Sequence, residues 1–289
     1  MLVLSYDSYN SYYHYIKEMK IFKSKHKLHK EILSNKNISF VPTMGGLHKG
    51  HVSLIKKSKN FNGKTLVSIF VNPKQFNNKS DFINYPSNIE RDLKILKKSK
   101  AVDFVYIPKI YEVFKDQIPI KINLKKKDKI LCAKYREGHF EGVLNVMYRL
   151  TKLVKPTKIF MGKKDYQQLY LVRNFIENNF KVITIGCNTV RDKNKVALSS
   201  RNNLLSKKDL LIASKLTKKL IIFKKKLKFK RNIKKILLQK HKQLENILKI
   251  KIEYMELRNL YNLQSSNTLE KSKLFVAYYV RDVRLIDNF

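Results

Sequence analysis

The sequence is short of cysteine, of acidic residues, of arginine and of long apolar runs. Its 289 residues contain two cysteines, Cys132 and Cys187, with no CxxC spacing and no Cys/His cluster. That excludes a disulfide framework and a structural zinc site, and it fits a reducing compartment. No apolar run reaches the ~18 residues that a membrane span needs. The opening stretch MLVLSYDSYNSYYHYIKEMK has no basic n-region ahead of an apolar core. The expectation is a soluble, unsecreted protein of the cytoplasm that makes no membrane contact. What the chain does have is apolar residues, 43% of the total, enough for a packed core and too many for a disordered basic tail. The length predicts one large domain or two modest ones.

Acidic residues number 22 against 62 Lys and Arg, a formal charge of +40. Clustered cations on this scale suit a polyanion partner, because they release counterions from a phosphate backbone. Here, however, 52 of the cations are Lys and 10 are Arg, and the Lys are scattered through every segment. Nucleic-acid readers favour the planar fork of Arg, and the chain carries no RGG run, no RRM or KH signature and no basic region tied to heptads. Lys, Asn, Ile, Tyr and Phe share codons rich in A and T, so the charge reads as genome composition, with no specific nucleic-acid partner.

From Ile38 onward short apolar runs alternate with helical patterns, as in a parallel sheet with crossover helices. Strands are expected at 38–41, 65–71, 104–107, 159–161 and 182–185. Val143, Val146, Met147, Leu150, Leu153 and Val154 recur with a helical period that Pro156 ends. Asp165 is a candidate N-cap for a helix running to about Asn178. The expected fold is α/β: a doubly wound, Rossmann-like parallel sheet over 1–186 with a smaller C-terminal α+β domain over 187–289. In the latter, Ile233, Ile236, Leu237, Leu244, Ile247 and Leu248 share a helical face, and strand-like segments follow at 252–257 and 274–280. Residues 1–37 read as a Lys-rich helical lead-in, and 224–235 as a solvated linker and helix surface. No internal repeat is present.

The strongest local signal is FVPTMGGLHKGHVSLI, residues 40–55. A strand ends near Pro42, passes Gly45, Gly46 and Gly50, and enters a helix, so the backbone can approach an anion at a helix N-terminus. His48 and His51, three apart, would lie on one side of the first turn, where imidazole N–H groups can donate to phosphate oxygens. The alternatives are metal ligation or an N-terminal cap. No third ligand has a motif-like spacing.

A strand, a glycine turn and HxGH together resemble the nucleotidyltransferase superfamily. The further motifs VSIFVNPKQF (67–76), DFINYPSNIERDL (81–93), REGHFEGV (136–143), GKKDYQQL (162–169) and TVRDKNKVALSSRN (189–202), with the ending RLIDNF, resemble the pantoate–β-alanine ligase family over residues 38–289. That resemblance implies two steps. The pantoate carboxylate attacks the α-phosphorus of ATP to give an acyl adenylate and pyrophosphate, and the β-alanine amine then displaces AMP. It also implies magnesium and a homodimer.

Residue by residue, the resemblance places Met44, Gly45, Gly46, Leu47, His48, Lys49, Gly50 and His51 around the nucleotide, with His51 as the family's proton donor. Gly162, Lys163, Lys164 and Asp165 match a second ATP segment whose usual form is GEKD, so Lys163 stands where the family has Glu. Val190 would meet the adenine, and Leu198, Ser199, Ser200 and Arg201 would hold the triphosphate from a mobile loop. The catalytic set is then His48, His51, Lys164 and Arg201. Gln75 and Gln168 match the pantoate amides, Gln75 also facing β-alanine. His139 and Tyr85 match pocket positions that packed core side chains could equally occupy, and Asp92 aligns with an acidic position suited to magnesium. The alternatives are another nucleotidyltransferase, which lacks support from the two glutamines and has no KMSKS sequence here, and a charge-driven RNA-binding protein.

Overall fold

The structure is a computed structural model that describes residues 18–77, 79–114, 122–227 and 232–289. Residues 1–17 of the lead-in and 228–231 of the Lys-rich stretch lie outside the described residues.

Six parallel strands form one sheet: β1 (Lys20–Phe22), β2 (Ile38–Thr43), β3 (Lys64–Ile69), β4 (Phe104–Tyr106), β5 (Lys158–Gly162) and β6 (Ile183–Cys187), in the order β1-β4-β3-β2-β5-β6. Helix α1 (Lys25–Ile32) follows β1, and α2 (Lys49–Lys59) joins β2 to β3. Two helices, α3 (Lys79–Ile83) and α4 (Ile89–Ser99), precede β4. Three more, α5 (Ile110–Phe114), α6 (Cys132–Tyr135) and α7 (His139–Val154), lead to β5, and α8 (Tyr166–Asn179) joins β5 to β6. Side chains alternate across a strand. Phe40, Leu66, Phe104 and Ile159 therefore enter one core with Leu28, Val143, Leu150 and Val172, while their successors Val41, Val67, Val105 and Phe160 enter another with Ile55 and Leu96. Burial on both faces is why these strands read as unbroken apolar runs.

Beyond β6 come α9 (Lys207–Leu227), α10 (Ile233–Leu248) and an antiparallel sheet of β7 (Lys251–Asn259), β8 (Ser272–Val280) and β9 (Val283–Asn288). The period-2 rule again decides the packing. Leu274, Val276, Tyr278 and Val280 meet Leu216, Leu220, Leu237 and Leu244 of the two helices. Phe275 and Ala277 point the other way, into the core of the first sheet, where Phe275 meets Tyr166 edge-on with ring centroids 5.9 Å apart. The α/β reading with a smaller α+β unit holds.

Four details differ from expectation. The lead-in contains β1, an edge strand of three residues that pairs with β4 and is too short to show a period. Strand β9 and helix α9 lie where no element was expected; VRLIDN mixes charge with apolar residues because only part of it is covered. Ile247 sits on the open side of α10 at 52% exposure, while Ile233, Leu237 and Leu244 are buried as expected. Asp165 does precede α8, but its side chain makes no cap bond, because a 3-10 turn over Lys163–Asp165 leads into the helix. Helix α7 stops at Val154, and Lys155 takes a left-handed φ of 49° before Pro156. Strand β2 lies between β3 and β5, so the connections diverge there and a crevice opens at the carboxyl ends of β2 and β5, where open α/β sheets bind ligands.

Candidate active site

Strand β2 delivers the glycine turn to that crevice. Gly45 and Gly46 have φ of +80° and +62°, and a Cβ on Gly46 would lie 2.4 Å from the Pro86 carbonyl oxygen, so the turn needs glycine on two counts. Behind it stands Asp92 of α4, whose Oδ2 accepts from the Gly46 N–H at 2.9 Å and whose Oδ1 accepts from the Leu47 N–H at 2.8 Å. Burial pushes the Asp92 carboxyl up and the two N–H donors pull it back. The carboxylate is 1% exposed, does not line the cleft, and has both oxygens engaged by the backbone of the turn. Leu47 is buried core and Lys49 is exposed on the first turn of α2, so neither lines the cleft; Met44 and Gly50 do.

The two histidines sit at the start of α2 with ring centroids 4.1 Å apart. His48 is the N-cap, its Nδ1 accepting from the Gly50 N–H at 3.1 Å, and His51 Nδ1 accepts from the His48 N–H at 3.3 Å. The capping alternative is therefore correct, and it also sets the chemistry. With Nδ1 an acceptor on each ring, the single proton of the neutral imidazole sits on Nε2. Burial, then the nearby Lys164 ammonium, pulls His48 down to about 4; burial, then His48, pulls His51 down to about 3. Both rings line the cleft as neutral donors at neutral pH.

Strand β5 delivers Gly162, Lys164 and Asp165 to the facing wall. Lys164 Nζ lies 3.5 Å from Asp165 Oδ1 and is mostly buried. Lys163 does not line the cleft itself; its Nζ donates to Oδ1 of Asn188, a residue of the cleft wall, at 3.2 Å. Of the loop after β6, Val190, Leu198, Ser199, Ser200 and Arg201 all line the cleft. Val190 accepts the Leu198 N–H at 3.0 Å, and Ser199 caps a 3-10 turn, Ser200–Leu204, through the Arg201 N–H. Arg201 reaches Asp81 of α3 with contacts of 2.9 and 3.2 Å to its two carboxylate oxygens. Tyr85 leans on Ser200, hydroxyl to hydroxyl at 3.4 Å.

The remaining wall follows β3. Gln75 ends a 3-10 turn, Pro73–Gln75, and donates to Met44 Sδ while accepting from Asn72 Nδ2 at 3.1 Å. Gln168 on α8 lines the same cleft with no hydrogen-bond partner among the described residues. His139 is a satisfied, buried ring. Its Nδ1–H donates to the Gln75 carbonyl at 2.6 Å, so its Nε2 accepts from Arg136 at 2.8 Å. Burial, then Arg136, pulls it down to about 3.

The family model for pantoate-beta-alanine ligase matches residues 14–289. The chain belongs to the pantoate–β-alanine ligase family. A pantothenate synthetase of Leptospira interrogans serovar Lai is 43% identical over 264 residues, covering 88% of this chain and 90% of the relative. One of Thermosipho africanus is 37% identical over 276 residues, covering 94% and 97%. Among solved structures, the pantothenate synthetase of Thermus thermophilus superposes with a TM-score of 0.82 at 29% identity, covering 94% of this chain and 99% of that one. The pantoate–β-alanine ligase of Francisella tularensis, solved with β-γ ATP and β-alanine, gives 0.80 at 35% identity, covering 94% and 97%.

Set against the pantoate–β-alanine ligase motifs, three cleft residues escaped the sequence reading. Asn72 holds Gln75 and also donates to the Gly142 carbonyl at 3.1 Å. Arg136 is a half-buried guanidinium with no carboxylate partner among the described residues, and desolvation lowers it to about 10. Arg284 enters from β9, ion-paired with Glu253. Asn72, Arg136 and Arg284 all lie inside quoted motifs, Arg284 at the head of RLIDNF, where unassigned polar residues were the available signal; the strand that carries Arg284 was not foreseen.

Proposed function

We propose that this chain condenses pantoate with β-alanine at the cost of ATP, through pantoyl adenylate. In the first step a pantoate carboxylate oxygen bonds to the α-phosphorus and the bond to the bridging oxygen breaks, releasing pyrophosphate. In the second the β-alanine amine attacks the acyl carbon, AMP departs with the carboxylate oxygen, and the amine gives up a proton. The observation that carries the proposal is the meeting of two neutral, Nε2-protonated imidazoles, the Lys164 ammonium and the amides of Gln75 and Gln168 in one cleft of about 280 Å³ at the sheet's switch point.

Charge grows on phosphate oxygens as pyrophosphate leaves. Donors already fixed in place stabilise it without reorganising. His48 and His51 supply N–H donors that need not transfer a proton, and Lys164 supplies a positive charge. Arg201, Ser199 and Ser200 hold the triphosphate from the loop after β6, Val190 lies on the adenine side, and the glycine turn gives the α-phosphate its close approach. Gln75 and Gln168 can each donate and accept toward a hydroxyl and a carboxylate. The Arg136 guanidinium, with no carboxylate partner among the described residues, biases the substrate end of the cleft toward carboxylates. Tyr85 and His139 complete that wall, His139 by orienting Arg136.

Among the described residues no cluster of three His, Cys, Asp or Glu could hold a metal ion. Asp165 is the half-exposed carboxylate on the cleft wall. This donor set fits a magnesium ion carried by the triphosphate, which Asp165 would hold from the protein side. Such an ion supplies charge neutralisation to the leaving pyrophosphate. We further propose a domain boundary near residue 187, a homodimer and a cytoplasmic location; no helix among the described residues is long and apolar enough to cross a membrane.

The test is to incubate the protein with ATP, magnesium and pantoate and to follow pyrophosphate with and without β-alanine. Sustained, pantoate-dependent release that needs β-alanine is expected. Turnover with CTP or an amino acid instead would assign another nucleotidyl transfer, and salt-dependent RNA retention without AMP formation would end the enzyme reading.

A further inference from the structure

The ending RLIDNF matched the family, yet none of its residues has entered the chemistry above. Strand β9 carries it to the back of the 3-10 turn that presents Lys164. Asn288 there is 2% exposed. Its Nδ2 donates to two consecutive main-chain carbonyls, those of Lys163 at 2.9 Å and Lys164 at 2.8 Å. Its Oδ1 accepts from Lys273 Nζ at 2.7 Å. The amide can sit only one way round: flipped, it would set its oxygen against two carbonyl oxygens and its NH2 against an ammonium.

The geometry bears on one residue. The Lys163 carbonyl belongs to the peptide plane before the Lys164 Cα, and the Lys164 carbonyl to the plane after it. Rotation about the two bonds between those planes is all the backbone freedom Lys164 has. One side-chain amide therefore fixes both planes and, with them, the direction in which the Lys164 side chain leaves the backbone. Asn288 is itself braced. Its N–H donates to Asp287 Oδ1 at 2.7 Å, its carbonyl accepts from Arg191 at 3.1 Å, and Arg191 grips Asp287 with contacts of 2.6 and 2.8 Å. Arg191 follows Val190 directly, so the same knot ties down the loop on the adenine side.

We infer that Asn288 is a positioning residue for the reaction: by holding the two peptide planes around Lys164 it aims that ammonium at the phosphates, and Lys273 fixes the orientation of the Asn288 amide. Asn288 touches no reacting group; its action passes through Lys164. The inference rests on the ligase reading proposed above.

A double-mutant cycle on pantoate-dependent pyrophosphate release separates aiming from mere structural support. Asn288→Asp keeps the shape and the contact with Lys273 but turns an anionic oxygen toward the two carbonyls. It should lower kcat roughly tenfold to a hundredfold, the scale of a displacement of about 1 Å at a reacting centre, and leave the KM for pantoate within about twofold. Lys273→Met, a milder change that frees the amide to rotate, should lower kcat several-fold. In a Lys164→Ala background, followed in single turnovers, either substitution should change the rate less than about threefold, because the group being aimed is gone. Equal factors in both backgrounds, or no loss for either substitution in the otherwise unaltered chain, would overturn the inference. If Asn288→Asp does not yield folded protein, the Lys273→Met cycle decides alone. Failure of the unaltered protein to release pyrophosphate with pantoate would sink the ligase reading itself, a result distinct from any of these.

Discussion

A histidine whose Nδ1 accepts a backbone N–H keeps its one proton on Nε2, and two such rings side by side resist protonation further. In the proposed reaction His48 and His51 would act on ATP as fixed dipoles, and their loss should resemble the loss of any preorganised donor. His51→Ala and Lys164→Ala should each lower pyrophosphate release by roughly 10²-fold or more. Near-normal rates in both would remove the assigned roles. Asp92 makes a contrasting case at the same scale. Asp92→Asn replaces one acceptor facing a backbone N–H with a donor, loosening the turn at Gly46 or Leu47. The KM for ATP should rise several-fold while the magnesium concentration for half-maximal rate stays put; a shift in the magnesium requirement would instead make Asp92 a magnesium ligand. The histidine pair was legible because HxGH compresses strand end, turn and helix start into a dozen residues. The role of Asp92 was not, because its partners lie 45 and 46 residues away and are backbone groups that no residue type announces.

Helix α7 shows how an element reaches the site without contributing a reacting group. It packs so closely on the turn that ends at Gln75 that a Cβ on Gly142 would sit 2.1 Å from the Lys74 carbonyl oxygen. Backbone against backbone leaves no side chain to swing aside. Gly142→Ala must push α7 off the turn, and we expect a stability loss of about 1–3 kcal/mol, as for other overpacked contacts, with a several-fold rise in the KM for pantoate. A denaturant midpoint and a substrate titration check it; unchanged values for both would show the contact to be unimportant. Elements with a sustained period, such as α7, α10 and the central strands, were legible in the sequence since burial writes apolar residues at fixed intervals. Strand β1 was too short, and β9 too mixed, for that signal, and both owe their conformation to the neighbouring strand that each pairs with.

For the whole molecule, two global variables follow from charge. His48, His51 and His139 sit well below the ordinary value of 6.5, at about 4, about 3 and about 3. As pH falls from 7, the unfolded chain takes up protons near 6.5 while the folded one does not until 3 to 4. Stability should therefore drop across that window, with His139 alone contributing up to about 1.4 kcal/mol per pH unit. Urea midpoints at pH 7 and 5 test the drop, and His139→Asn should lessen it, leaving the share of His48 and His51; an equal midpoint at both values would refute the assignment. At +40, self-repulsion opposes compaction and is screened by salt, so the melting temperature should rise between low and moderate ionic strength. A flat or falling trend would show that local pairing already neutralises the repulsion. The balance of the two sheets was legible in outline; that the small sheet inserts Phe275 and Ala277 into the core of the large one was not, because both of its faces are apolar.

The bonds from Asn288 to the Lys163 and Lys164 carbonyls span 125 and 124 residues of chain. Contacts of such separation close a large loop and form late, after local helices and neighbouring strand pairs. During refolding the chain should regain its helical signal well before its enzymatic competence, which must await the arrival of the final hairpin.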